Sequence, residues 1–319
     1  MARRGETHSA AMLDARAGAS SLNIAPTAQS NLADLARSVM TQPAIDAVLA
    51  HPRFAEAARR TVHGWAPRPG DDLSKSRALQ DVGLFAAGLW CMQLDASPAG
   101  LTHSSLTAAI TTWGLASRGR VGPMLAYLRF RNMIQLAPSS DRRITRYTPT
   151  VHLRTQFGIF FERELHGAAP IFPEAEALLA RWGEPGLLSR MVTAYSTILL
   201  ASQQMREPDD GPNLDVFSHR RAGLIILGQI LTAADDGSEF PPAGPVRLVL
   251  SDLARRSAAS RGQVQAVLRE GEKAGFLLRD EDGLTVLSDD LRRHVSDFLP
   301  MYWMALAWAA RVTLGEDSA

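Results

Sequence analysis

The chain has 319 residues, 46% of them apolar and 21% charged, with a formal net charge of +1 at neutral pH. That length allows two or three domains, and that composition excludes a disordered or collagen-like chain. A net charge near zero gives no global pull toward nucleic acid, so any such pull must come from local segregation of charge.

Residues 1–30 are rich in Ala, Ser and Thr and lack the apolar run of a secretory signal; they read as a disordered tail. Residues 31–70 carry Leu32, Leu35, Val39, Ile45, Val48 and Leu49 at helical spacing and end at the breaker Ala66-Pro-Arg-Pro-Gly70. The single cysteine, Cys91, lies in the apolar run Leu89-Trp90-Cys91-Met92 and reads as core; one thiol excludes an internal disulfide and a Cys-based zinc site.

A first compact unit is expected over residues 75–165. Asp81 to Leu94 reads as an apolar helix, Thr102 opens a second, and Ser117 is the N-cap of a third that runs to about Arg131. Two strand-like runs, Met133 to Leu136 and Ile144 to Thr148, flank a polar turn and read as a hairpin, with Thr148-Pro149 capping the next helix. Three short helices followed by a hairpin is the pattern of a winged helix-turn-helix. Residues 170–206 read as connecting helices. A second copy is expected over 217–298: an apolar helix from His219 to Leu231, a helix from Val246 to Arg256, a third capped by Ser260 and closed by Gly275, then a compact hairpin. Ser117-Arg-Gly-Arg-Val121 aligns with Ser260-Arg-Gly-Gln-Val264, and the same offset pairs Leu106 with Val249, Ile110 with Leu253, Leu125 with Leu268 and Ile134 with Leu277. The fold expected is therefore mostly α, with two winged helix-turn-helix units joined and flanked by further helices. Residues 299–319 form a final apolar helix, either buried or pairing two copies into a homodimer; its richest stretch, Met301 to Val312, is too short to span a bilayer. No membrane partner is expected, and the cytoplasm, at the nucleoid, is the natural compartment.

Charge separates the two copies. Between Gly114 and Arg154 there are eight arginines (118, 120, 129, 131, 142, 143, 146 and 154) against one acid, Asp141, a net +7. Between Ser251 and Arg293 eight cations face eight acids, and the tip of the second hairpin, Asp280-Glu281-Asp282, is acidic. Arginine suits phosphate and guanine, so the first unit should dominate any contact with double-stranded DNA. The candidate DNA-contact residues are Ser117, Arg118, Arg120, Arg129, Arg142, Arg143, Arg146 and Tyr147, with Ser260, Arg261, Gln263 and Gln265 at the front of the second copy's third helix. The second unit either reads bases through those residues or serves as a partner module.

The first unit resembles the MarR-type winged helix of bacterial regulators over about Asp81 to Leu153. The residues that carry the resemblance are Leu101-Thr102 opening helix two, Ser117-Arg-Gly-Arg-Val121, Leu128, Ile134 and Asp141-Arg142-Arg143 in the wing. The resemblance implies a wing arginine in the minor groove, a role that falls to Arg143 with Arg142 second. Asn132 stands where that family usually has Gly, and it tolerates the left-handed conformation. Pro123 predicts a kink in the third helix, or a true start near Gly122 that would leave Arg118 and Arg120 in a loop.

The histidines show no metal-ligand spacing, and no phosphate loop, dinucleotide fingerprint or nucleophile elbow is present. No cofactor and no enzymatic activity are expected. Aromatic residues on the late helices, Trp182, Tyr195, Tyr302, Trp303 and Trp308, are expected in the core or at an interface, with room among them for a small-molecule effector. The leading expectation is a sequence-specific transcriptional regulator. The alternatives are a plasmid-type replication initiator with tandem winged helices and a winged-helix scaffold that binds protein instead of DNA.

Overall fold

A computed structural model describes residues 26–67, 81–112, 116–139, 141, 143–205, 214–234, 239–282 and 284–316. The fold is mostly helical, with two small three-stranded antiparallel sheets. Helices α1 (Pro26–Val39), α2 (Gln42–Leu49) and α3 (Phe54–Trp65) come first. Residues 26–30, expected in the tail, belong to α1, which opens at Pro26, whose fixed φ suits a helix start; the rest of the expected tail, residues 1–25, lies outside the described residues.

Then follow α4 (Val82–Asp95), β1 (Leu101–Thr102), α5 (His103–Thr112), α6 (Arg118–Phe130), β2 (Ile134–Ala137) and β3 (Arg146–Pro149). Helices α7 (Val151–Ala168), α8 (Pro173–Ala180) and α9 (Leu187–Met205) connect to a short α10 (Asp215–Ser218). The order then repeats: α11 (Gly223–Leu231), β4 (Val246–Arg247), α12 (Leu250–Arg256), α13 (Arg261–Lys273), β5 (Leu277–Arg279), β6 (Leu284–Leu287) and α14 (Asp289–Leu314). Both halves thus run helix, strand, helix, helix, strand, strand, and in both sheets the last strand sits in the middle, in the orders β1-β3-β2 and β4-β6-β5.

The correspondence extends to single hydrogen bonds. The chain leaves α6 through Asn132 at φ 53° and leaves α13 through Gly275 at φ 75°. The next N–H turns back in the same way, Met133 to the Leu128 carbonyl at 2.8 Å and Phe276 to the Gly271 carbonyl at 2.9 Å. The helix after each hairpin is tied to the same point, Thr150 N–H to Met133 O at 2.9 Å and Ser288 N–H to Phe276 O at 3.0 Å. Thr150 and Ser288 then cap α7 and α14 by accepting from Leu153 and Leu291.

Several expected boundaries move. Leu101-Thr102 and Val246-Arg247 are strands, not helix openings: their backbone groups pair with Tyr147–Arg146 and with Thr285–Leu284. Thr102 still caps α5, accepting from Ser105 N–H at 3.0 Å. The cap of α7 is Thr150, not Thr148, because the strand holds the chain through Pro149. The apolar helix expected from His219 begins at Gly223, and the connecting segment breaks between α8 and α9, where Gly183 and Gly186 take positive φ. Leu106 and Val249 are not equivalent, since Leu106 is fully buried and Val249 is 48% exposed; Ile110 and Leu253 are both core.

The boundary at residue 298 falls inside α14, one helix of 26 residues that continues through Pro300. Its apolar face, with Leu299, Trp303, Leu306 and Ala310 fully buried, packs within the chain against α2, α7, α8 and α9. The apolarity that pointed to a homodimer is therefore accounted for by the chain's own core. Helix α3 is held between α7 and α11. Trp303 Nε1 donates to Thr61 Oγ1 at 2.9 Å, joining α14 to α3. The helices before, between and after the two repeated halves thus share one core.

Candidate nucleic-acid interface

Helix α6 begins at Arg118 and runs through Pro123, so Arg118 and Arg120 lie in its first turn and not in a loop. Its buried face is Val121, Met124, Leu125 and Leu128; Arg118, Gly119, Arg120, Pro123, Ala126 and Arg129 face outward. Ser117 is exposed and has the extended backbone of an N-cap, yet its hydroxyl makes no capping bond. Position N3 holds Arg120, a cation, which cannot return the reciprocal bond of a capping box.

The hairpin continues the surface. Arg143 is exposed, and its N–H donates to Asp141 Oδ1 at 2.8 Å, so the one acid of this window is committed to the turn. Arg142 lies outside the described residues. Arg146 is half-buried on β3, its guanidinium lying against Gly100; a Cβ there would meet Arg146 Nη1 at 2.9 Å. Tyr147, also half-buried, sits opposite Leu136 and Leu101, with the Arg129 guanidinium 6.0 Å above its ring. Among the described residues, no carboxylate pairs with Arg118, Arg120, Arg129, Arg131, Arg143 or Arg146. Arg154 differs: it pairs with Asp95 at 2.6 Å and leaves the set.

In the second half four of the eight cations counted above are engaged. Arg255 pairs with Asp252, Arg279 with Glu272, Arg293 with Asp290, and Arg292 with both Glu239 and Asp289. Arg220 grips Glu270 through two hydrogen bonds, which holds that carboxyl below its ordinary range. Ser260 and Gln263 are engaged too. The Ser260 hydroxyl accepts from Gln263 N–H at 3.2 Å, and Gln263 Oε1 accepts from Ser260 N–H at 2.8 Å. This capping box was legible in the Ser-x-x-Gln spacing, and it removes both residues from the exposed readers. Arg261 and Gln265 remain exposed.

Capping makes a prediction. Ser260→Ala should cost about 1 kcal/mol of stability, whereas Ser117→Ala should change little. Urea unfolding of the two variants beside wild type checks the difference, and equal losses would contradict the caps described.

The other titratable groups offer little competing chemistry. Cys91 is buried, and burial pushes its thiol up, away from reactivity. Among the described residues no three His, Cys, Asp or Glu side chains gather as a metal site, and no helix is long and apolar enough to cross a membrane. Comparison with protein-family models, curated proteins and solved structures returns no match.

Proposed function

We propose that the chain is a sequence-specific, double-stranded-DNA-binding transcriptional regulator with two winged helix-turn-helix units, the first at about residues 81–153. The observation that carries this reading is the set of arginines on α6 and the following hairpin that have no acid partner among the described residues. A cation paired within the fold gains little from a phosphate, because the pair must first be broken. An unpaired one releases counterions from DNA at no such cost. The repeated helix, strand, helix, helix, strand, strand order, with α6 exposed beside a hairpin, supports the winged-helix reading and its resemblance to MarR-type regulators.

The test is binding to mixed genomic duplexes across a salt series. Wild type should bind and weaken steeply as salt rises. Arg120→Ala/Arg143→Ala should bind more weakly, with a slope shallower by about one for each phosphate no longer neutralised. Absence of salt-dependent binding by wild type would sink the proposal and turn the search to protein partners. The replication-initiator reading needs a cationic face on both units, and α13 carries one, as described next. Directly repeated sites would favour the initiator, and palindromic half-sites the regulator.

A further inference from the structure

Helix α13 presents Arg261, Gln265, Arg269 and Lys273 to solvent at spacings of four, a single ridge along its outer face. None of the three cations forms an ion pair among the described residues. Arg269 lies back along the ridge, its Nε donating to the Gln265 carbonyl at 3.3 Å. The acids of the same helix are engaged sideways, Glu270 by Arg220 and Glu272 by Arg279. A unit that is neutral by count therefore carries a positive ridge with one uncommitted amide in it.

Helix α6 differs in kind. At the offset that pairs Ser117 with Ser260, its corresponding ridge is Arg118, Gly122, Ala126 and Phe130, so Arg118 stands where Arg261 does and Gly122 where Gln265 does, with Phe130 83% exposed. Beyond the first turn, that ridge offers no side-chain donor or acceptor. Reading a base edge in the major groove needs such groups; the Gly, Ala and Phe that follow Arg118 offer at most a surface for a thymine methyl. Arginines without directional partners on the ridge suit phosphates, which position a protein without reading sequence.

We infer that the two halves divide the work: the first supplies affinity, and α13 of the second reads sequence through Gln265 and Arg261. This rests on the DNA-binding reading above. The Gln265 amide can accept and donate at once, the pattern of an adenine edge, and the Arg261 fork matches guanine. The acidic tip, Glu281 and Asp282, keeps the second hairpin off the phosphate backbone, so this unit engages by its helix alone. Such a weak reader works because the first unit holds it at high effective concentration beside the duplex.

The experiment uses the full chain and a library of randomised duplexes, sequenced after selection, with affinity for the unselected pool measured in parallel. Wild type should bind the pool and enrich a motif containing adenine. Gln265→Ala, a change at an exposed helical site, should keep pool affinity within about twofold and lose about tenfold or more of its discrimination at that adenine. Arg120→Ala/Arg143→Ala should lose affinity for every duplex and keep the motif. If Gln265→Ala enriches the wild-type motif with undiminished discrimination, or wild type binds without enriching any motif, the division of labour is overturned while DNA binding stands. If wild type does not bind the pool, both readings fall.

Discussion

Glu164→Gln is expected to flatten the dependence of stability on pH between about 5 and 8, and to be more stable than wild type at the upper end. Glu164 lies on α7 with 1% exposure, facing Trp65 of α3, Tyr195 of α9 and Tyr302 of α14. Burial raises its carboxyl to about 8, against smaller opposing effects of hydrogen bonds from Tyr302 and Trp65 and of the Arg163 charge. Its Oε2 has no hydrogen-bond partner among the described residues, so ionisation would leave a charged oxygen unsatisfied in the core. In the unfolded chain the same group titrates near 4.3. Between those values the folded protein holds a proton that the unfolded chain has lost. Stability is therefore greatest below the unfolded value and falls as pH rises, by up to about 1.4 kcal/mol per unit, levelling off above the folded value. Burial also pushes Tyr195 and Tyr302 above their ordinary range, so neither offsets the trend. Urea unfolding at pH 5, 7 and 9 would decide it. Parallel curves for variant and wild type would mean that Glu164 is ionised in the native state.

Gly167→Ala should be among the most damaging single methyl additions. A Cβ at Gly167 would lie 2.2 Å from Thr61 Oγ1 and 3.0 Å from Thr61 Cα. The hydroxyl could turn away, but the backbone atom cannot, so α3 and α7 must separate. Thr61 also accepts from Trp303, so α14 would be disturbed with them. Overpacking of this kind costs about 1–3 kcal/mol or more, which outweighs the roughly 1 kcal/mol that Ala gains over Gly within a helix. Gly119→Ala is the control: among the described residues, nothing outside its own turn of helix lies within 4 Å of its Cβ position, so that variant should be as stable as wild type or slightly more so. A thermal melt of both variants separates the two effects, and a Gly167→Ala melt at the wild-type temperature would refute the close crossing.

What the sequence conveyed follows the range of the forces involved. Ser260, Ser288 and Gly275 act on backbone within a few residues, so their caps and turns could be read locally, and so could the left-handed exit at Asn132. Strands β1 and β4 have two residues each and exist only through partners some 40 residues away in sequence, so local periodicity assigned them to the helices that follow. The candidate interface was half legible. The excess of arginine over acid was visible in composition. The commitment of Arg154 to Asp95 and of Glu270 to Arg220 was not, because each pairing is made across the fold. That second pairing changes the reading of the second half, since it clears an acid from the ridge of α13. Glu164 gave no sign either; an acid on a helix rich in Phe is buried only because three other helices close over it.

Helix α14 spans its 26 residues without interruption, roughly 39 Å at 1.5 Å per residue. Its N-terminal end is bonded to the second hairpin through Ser288, and its middle is embedded in the core around Trp303. It is a lever with its fulcrum among buried side chains. A tilt of about 10° at Trp303 would carry the Ser288 end, roughly 22 Å away, some 4 Å, about the rise of one base pair. Repacking around Trp303 would then alter the span between the two surfaces proposed to face the double helix without touching a residue on either.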